Sequence, residues 1–126
     1  DIQFFCADSP LKFSFEKVSK RTHLDIASVN SAMSIELLDD RIKTIHISAG
    51  GVAATPLYLK KTCHFLQTKA ITAEIINKAI VIAQTEISPI SDSRGSATYK
   101  RLLFKQLLIT HFLKLLPDRL QWQDFR

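Results

Sequence analysis

The feature that most constrains this chain is the alternation running through residues 25–51. In IASVNSAMSIEL, Val29, Met33, Ile35 and Leu37 fall on one side of an extended backbone, with Ala27 and Ser31 as small neighbours. Ser28, Asn30, Ser34 and Glu36 fall on the other. Successive side chains leave opposite sides of a strand, so a period of two marks a strand with one buried face. RIKTIHISA continues the theme, with Ile45, Ile47 and Ala49 on one face and Lys43, Thr44 and His46 nearby. The spacing predicts two strands, 26–37 and 41–49, joined by an acidic turn at Asp39 and Asp40. Antiparallel pairing sets the start of the first strand beside the end of the second. The basic segment ahead of Asp25 (Lys17, Lys20, Arg21) and the pair Gly50-Gly51 are then expected at one end of the sheet, a candidate working edge.

The rest of the chain supplies the layers. Leu11, Phe13 and Phe15 alternate with Lys12, Ser14 and Glu16, which predicts a further strand over 11–18 with the phenylalanines buried. Residues 1–10 read as a lead-in or edge strand, since Pro10 bars a helix there. After Gly50-Gly51, the spacing of Leu59, Cys63 and Leu66 predicts a short helix over 57–67. Thr72 is placed to cap a helix over 72–87, whose Ile75, Ile76, Ala79, Ile80, Ala83 and Ile87 form a stripe at helical spacing. SPISDSRG is a loop, and Ser96 caps a long helix over 97–116 that Pro117 ends. That last helix is apolar around most of its girth, so it is either central or half-covered by something outside this chain. The tail 117–126 shows no period and is expected to be poorly ordered or foreign to the domain. Strands followed by helices argue for an α+β fold: an antiparallel sheet of three to four strands packed against about three helices. The organisation is a lead-in 1–10, one domain over 11–116 and a tail 117–126.

Composition sets bounds on function. The chain has 126 residues, 46% hydrophobic and 23% charged, enough for one core. No run is apolar enough to span a membrane, because Lys105, Gln106, His111 and Lys114 interrupt the greasiest stretch. No secretion signal is present, and a chain starting at Asp1 without methionine is expected to be part of something longer. A net charge of +5 suits an anionic cofactor, nucleic acid or an acidic partner, and equally an ordinary solvated surface. Cys6 and Cys63 lie far apart and outside any CxxC, and two thiols are too few for an all-cysteine cluster. Buried, unpaired thiols in a reducing compartment are expected.

No catalytic constellation stands out, and no residue is assigned a catalytic role. Ser91, Asp92, Ser93 and Arg94 read as a self-bonded turn rather than a reactive group. His23, His46, His64 and His111 show no ligand spacing, so no metal site is expected. The basic loop reads either as a solvated connection or as an anion-facing element.

Three stretches carry more: FEKVSKRTHLDIASVNSAM, ISAGGVAATPLYL and EISPISDSRGSATYKRLL. They contain, in order, F-x-K-V-S-x-R, D-I-A-x-V-N, G-G-V-A-x-T-P and S-D-x-R-x-S-A-x-Y-K. The chain from 11 to 116 thereby resembles the C-terminal domain of the FAD-containing component of molybdenum hydroxylases. Xanthine dehydrogenase flavin subunits and the CO dehydrogenase flavoprotein C-terminal domain are the type. It departs from the pattern at Thr22-His23-Leu24. The resemblance implies a cytoplasmic purine-hydroxylating oxidoreductase. A molybdenum cofactor and iron–sulfur clusters would lie elsewhere in the complex, and FAD would pass electrons to NAD or another acceptor. It implies that the main FAD site lies in a preceding domain, and that the isolated domain is inactive. The partners implied are that FAD-binding domain and the molybdopterin-binding and iron–sulfur subunits or domains, with no nucleic acid and no membrane. By the same analogy Lys17 approaches the flavin ring, Arg21 lies close by, and Asp25 holds the loop through Arg21 or backbone donors. Asp92, Arg94 and Tyr99 are structural. The competing readings are a basic nucleic-acid module, which would want aromatics among its cations, and a subunit-docking domain that uses the apolar last helix.

Overall fold

The computed structural model describes residues 1–2 and 10–126, so most of the expected lead-in strand, and Cys6, lie outside the described residues. The fold is α+β, with a four-stranded antiparallel sheet in the order β1-β2-β3-β4. The strands are β1 (Lys12–Val18), β2 (Val29–Leu38), β3 (Arg41–Gly50) and β4 (Leu57–Tyr58). Three helices follow: α1 (Lys60–Leu66), α2 (Ala73–Glu86) and α3 (Ala97–Leu115).

The β2–β3 hairpin turns on two residues, Asp39 (φ 50°) and Asp40 (φ 65°), both in the left-handed region. That is the geometry whose twist suits a two-residue hairpin. Val29, Met33, Ile35, Ile45, Ile47 and Ala49 all face the core, as the alternation predicts. The periodicity slips once. Glu36 faces Thr44 but Leu37 faces Ile42, leaving Lys43 as an extra residue. This bulge turns Ile42 inward and sends Lys43 out to Glu36, 3.0 Å away. β2 starts at Val29 rather than at residue 26, because residues 25–28 belong to the preceding loop.

One expectation about a face and one about a helix boundary are overturned. Phe13 and Phe15 are 65% and 56% exposed, whereas Ser14 between them is buried. The parity of β1 is as expected, but α3 covers the other side: His111 Nδ1 meets Ser14 Oγ at 3.0 Å, and Lys114 pairs with Glu16. The helix expected over 57–67 begins only at Lys60. Leu57 and Tyr58 instead extend the sheet against β3, and the Leu59 amide donates to the Ile47 carbonyl at 3.0 Å. Leu59, Cys63 and Leu66 are the buried face, and Cys63 is a free thiol whose pKa burial pushes up.

The helices start where their caps allow. Thr72 Oγ1 accepts from the Ile75 amide at 3.2 Å and Ser96 Oγ from the Tyr99 amide at 3.1 Å. Such a cap is worth about 1 kcal/mol. α3 is central: Phe104, Leu107, Leu108, Ile109, His111, Phe112 and Leu115 are buried against β1, β2 and α2. The tail is ordered, contrary to expectation. Leu120 is buried and a 3₁₀ turn, Trp122–Phe125, sets Phe125 against the core.

Candidate functional site

Register decides what gathers at the end of the sheet. Lys17 pairs with Asn30, and Asn30 with Gly50. The basic loop between β1 and β2 therefore sits beside the turn that follows β3. Gly51 (φ 80°) packs so closely on this loop that a Cβ would lie 2.4 Å from the Ser28 carbonyl oxygen. The Ser28 amide donates to Val18 at 2.8 Å, closing the loop on the strand.

Asp25 organises the loop through backbone donors. Its Oδ2 accepts from the Arg21 amide at 3.0 Å and its Oδ1 from the Ile26 amide at 2.9 Å. Lys17 Nζ donates to the Asp25 carbonyl at 2.9 Å, leaving two of its protons free. The Arg21 guanidinium does not engage Asp25, so only the backbone branch of the expected contact is present. Leu24 and Ile26 stand exposed on the same loop.

A third segment completes the end. Ser28 Oγ donates to the Arg94 carbonyl at 3.0 Å, and Lys20 donates to the Ser93 carbonyl. The turn at Asp92 is self-bonded, as read from sequence: Asp92 and Gly95 exchange backbone bonds, and Asp92 Oδ1 accepts from the Arg94 amide. Lys100, on the first turn of α3, was not singled out by sequence reasoning. It is buried, donating to the Ile90 carbonyl at 2.9 Å and to Asp92 Oδ2 at 2.7 Å. The Lys100 ammonium, together with the Arg94 amide, holds the Asp92 carboxyl below its usual range. Helical spacing could have found it, since Lys100, Phe104, Leu107, His111 and Leu115 share the inner face. Between this turn and the Gly51–Ala54 stretch lies a cleft of about 550 Å³ with Ile90 and Arg94 on its wall.

Cations outnumber carboxylates at this end, where Lys17, Lys20, Arg21, Arg94 and Lys100 face Asp25 and Asp92. The ion pairs among the described residues use Lys43, Lys78, Lys100, Lys114 and Arg119. Among the described residues, none of Lys17, Lys20, Arg21 or Arg94 has a carboxylate partner. Free donors next to exposed apolar side chains suit a planar, electron-rich ligand with a polar edge. Among the described residues, no cluster of histidine, cysteine or carboxylate side chains is arranged to hold a metal, and no helix is long and apolar enough to cross a membrane.

The family model of the CO dehydrogenase flavoprotein C-terminal domain matches residues 14–115. The chain belongs to that family. It is the C-terminal domain type of the FAD subunit of molybdenum hydroxylases. The carbon monoxide dehydrogenase medium chain of Afipia carboxidovorans is 30% identical over 88 residues, covering 70% of this chain and 30% of that protein. The carbon monoxide dehydrogenase of Hydrogenophaga pseudoflava, in a form lacking the Mo-pyranopterin moiety, superposes with a TM-score of 0.76 at 26% identity, over 81% of this chain and 35% of that one. Quinoline 2-oxidoreductase of Pseudomonas putida 86 gives 0.74 at 25%, over 83% of this chain and 36% of that one. The chain thus spans about a third of the length of these relatives.

Proposed function

We propose that this chain is the C-terminal lobe of the FAD-containing component of a xanthine dehydrogenase-like molybdenum hydroxylase. In this reading Lys17 sets the electrostatics of the flavin edge, with Arg21 beside it and Asp25 fixing the loop. The observation that carries it is the cation-rich end, where among the described residues Lys17 and Arg21 have no carboxylate partner and Leu24 and Ile26 are exposed. The residues fit the group: ammonium and guanidinium donors for its electron-rich pyrimidine edge, apolar side chains for its ring. The bound FAD would carry electrons from purine hydroxylation at a molybdenum cofactor, by way of iron–sulfur clusters, to NAD or another acceptor.

The chain's own part is positioning. β1 and β2 hold Lys17 at the sheet end, and Asp25 fixes the loop with its carboxylate on two backbone amides and its carbonyl on Lys17 Nζ. A fixed cation near a developing negative charge lowers the energy of the reduced form. The main FAD site belongs to a preceding domain, since no glycine-rich pyrophosphate loop occurs here. The molybdopterin-binding and iron–sulfur parts complete the assembly. The purine assignment rests on the four sequence blocks, because the relatives' names include carbon monoxide and quinoline enzymes. A cytoplasmic setting agrees with the free thiol of Cys63.

The test is Lys17→Ala in the assembled enzyme. Removing the cation should make the FAD midpoint potential more negative, by on the order of tens of millivolts, and slow acceptor reduction. Lys17→Arg should restore most of both. An unchanged potential in Lys17→Ala would remove the role. The 126-residue chain alone should not bind FAD stoichiometrically, and tight binding in a titration would refute the location of the main site.

A further inference from the structure

We propose that the outer face of the sheet is a trough that seats one α-helix from the flavin-binding portion of the parent polypeptide. This rests on the functional reading above. The helices α1 and α3 pack on the other face, where Met33, Ile35, Ile45 and Ile47 are buried, and α2 packs on both of them. On the outer face the residues sort by size across the strands. One row runs Phe15, Ala32, Ser48, Tyr58, and the next runs Phe13, Ser34, His46. Each row is large at both sides and small in the middle. The Tyr58 hydroxyl and His46 Nδ1 are hydrogen-bonded at 2.8 Å, which stiffens the far wall.

Dimensions select the occupant. Neighbouring strands lie about 4.8 Å apart, so the walls stand roughly 14 Å from each other in the row that reaches Tyr58 on β4, narrowing to roughly 10 Å where His46 on β3 forms the wall. An α-helix with side chains is about 10 Å across, and small floor residues let it approach. Phe13, Phe15 and Tyr58 are 65%, 56% and 41% exposed, and the floor between them is uncharged. That asks for an apolar helix face rather than a nucleic acid or an acidic segment. A second copy of the same trough fits poorly. Aromatic wall would meet aromatic wall and leave a void over both floors.

Two observations point to the flavin-binding portion. The chain accounts for only about a third of its relatives, so most of such a polypeptide lies outside it. Lys17 has the parity of Phe13 and Phe15 and projects from the same face. If Lys17 approaches a flavin held elsewhere, the polypeptide holding that flavin must lie over this face.

The experiment places the photo-cross-linker p-benzoylphenylalanine at Phe13, and separately at Tyr58, in the assembled enzyme. Linked peptides are then mapped by mass spectrometry. Both positions should link to one helical segment of the flavin-binding portion, while a probe at Val81, exposed on α2, should not. Ser48→Phe, which fills the floor, should reduce both cross-links to background, and Ser48→Ala should keep them. Links to a second copy or to another subunit, or no links at all, would overturn the proposal. The flavin potential of Lys17→Ala, read in the same preparation, separates the two readings. A shifted potential with misplaced cross-links sinks the trough alone. Correct cross-links with an unshifted potential sink the electrostatic role alone.

Discussion

As pH falls from neutral towards about 4, acid should weaken this domain mainly through one side chain, His111. It is fully buried on α3, with Nδ1 on Ser14 Oγ at 3.0 Å and, among the described residues, no hydrogen-bond partner for Nε2. Burial lowers its pKa from 6.5 to about 4, against the upward pull of Glu16 and the Ser31 backbone, with Lys114 adding to the fall. Between these values the unfolded chain takes up a proton that the folded chain refuses. Stability is therefore complete above the unfolded pKa of 6.5, declines as pH falls through it, and stops declining near the folded value of about 4. At about 1.4 kcal/mol per pKa unit the loss amounts to about 3 kcal/mol. For a domain whose total stability is typically 5–15 kcal/mol, that is a large share. Urea unfolding followed by circular dichroism, from about pH 7.5 to about pH 4, reads the slope directly. His111→Gln keeps a partner for Ser14 and cannot titrate. Its stability at neutral pH can be lower, but its slope over this window should be smaller by the same amount. Equal slopes in the two proteins would refute the argument.

Other perturbations test the loop end. Gly51→Ala puts a Cβ 2.4 Å from a backbone carbonyl at a φ of 80°, and should cost about 2 kcal/mol or more in denaturant melts. Gly50→Ala meets only the Asn30 side chain, at 2.9 Å, and should cost clearly less; the reverse order would contradict the packing described. Asp92→Ala strands the buried Lys100 ammonium, whereas Lys100→Met leaves Asp92 its solvent and the Arg94 amide. Asp92→Ala should therefore lower the melting temperature more than Lys100→Met does, and the opposite ranking would show that the pair is not what anchors the turn.

The sequence carries some of these features openly and hides others for physical reasons. The hairpin is legible because its period of two persists over both strands, and the caps Thr72 and Ser96 are legible because their chemistry is local. The bulge at Lys43 is not, since a one-residue slip depends on what the opposite strand offers. Lys100 hides because a lysine is expected at the surface, although its helical position places it inward. β4 hides because a strand of two residues has no period. At the loop end, Lys17, Arg21 and Asp25 stand out by charge, but only the fold shows Asp25 bound to backbone amides rather than to the Arg21 guanidinium.

The misplaced phenylalanines and the cation share one cause. Alternation in β1 fixes that Phe13, Phe15 and Lys17 act together, and that Ser14 and Glu16 oppose them. It does not say which set is covered. α3 settles this, because the buried imidazole of His111 needs the Ser14 hydroxyl and Lys114 needs Glu16. Once Ser14 is turned in, Lys17 has to turn out with the phenylalanines, away from the chain's own helices. A one-residue deletion in β1 between Ser14 and Lys17 would reverse this. It would point the cation at the helical layer while Phe13, ahead of the deletion, keeps the outer face, so the proposed flavin effect depends on the parity of the strand. A deletion variant that folds yet keeps its flavin potential would break the connection between the two.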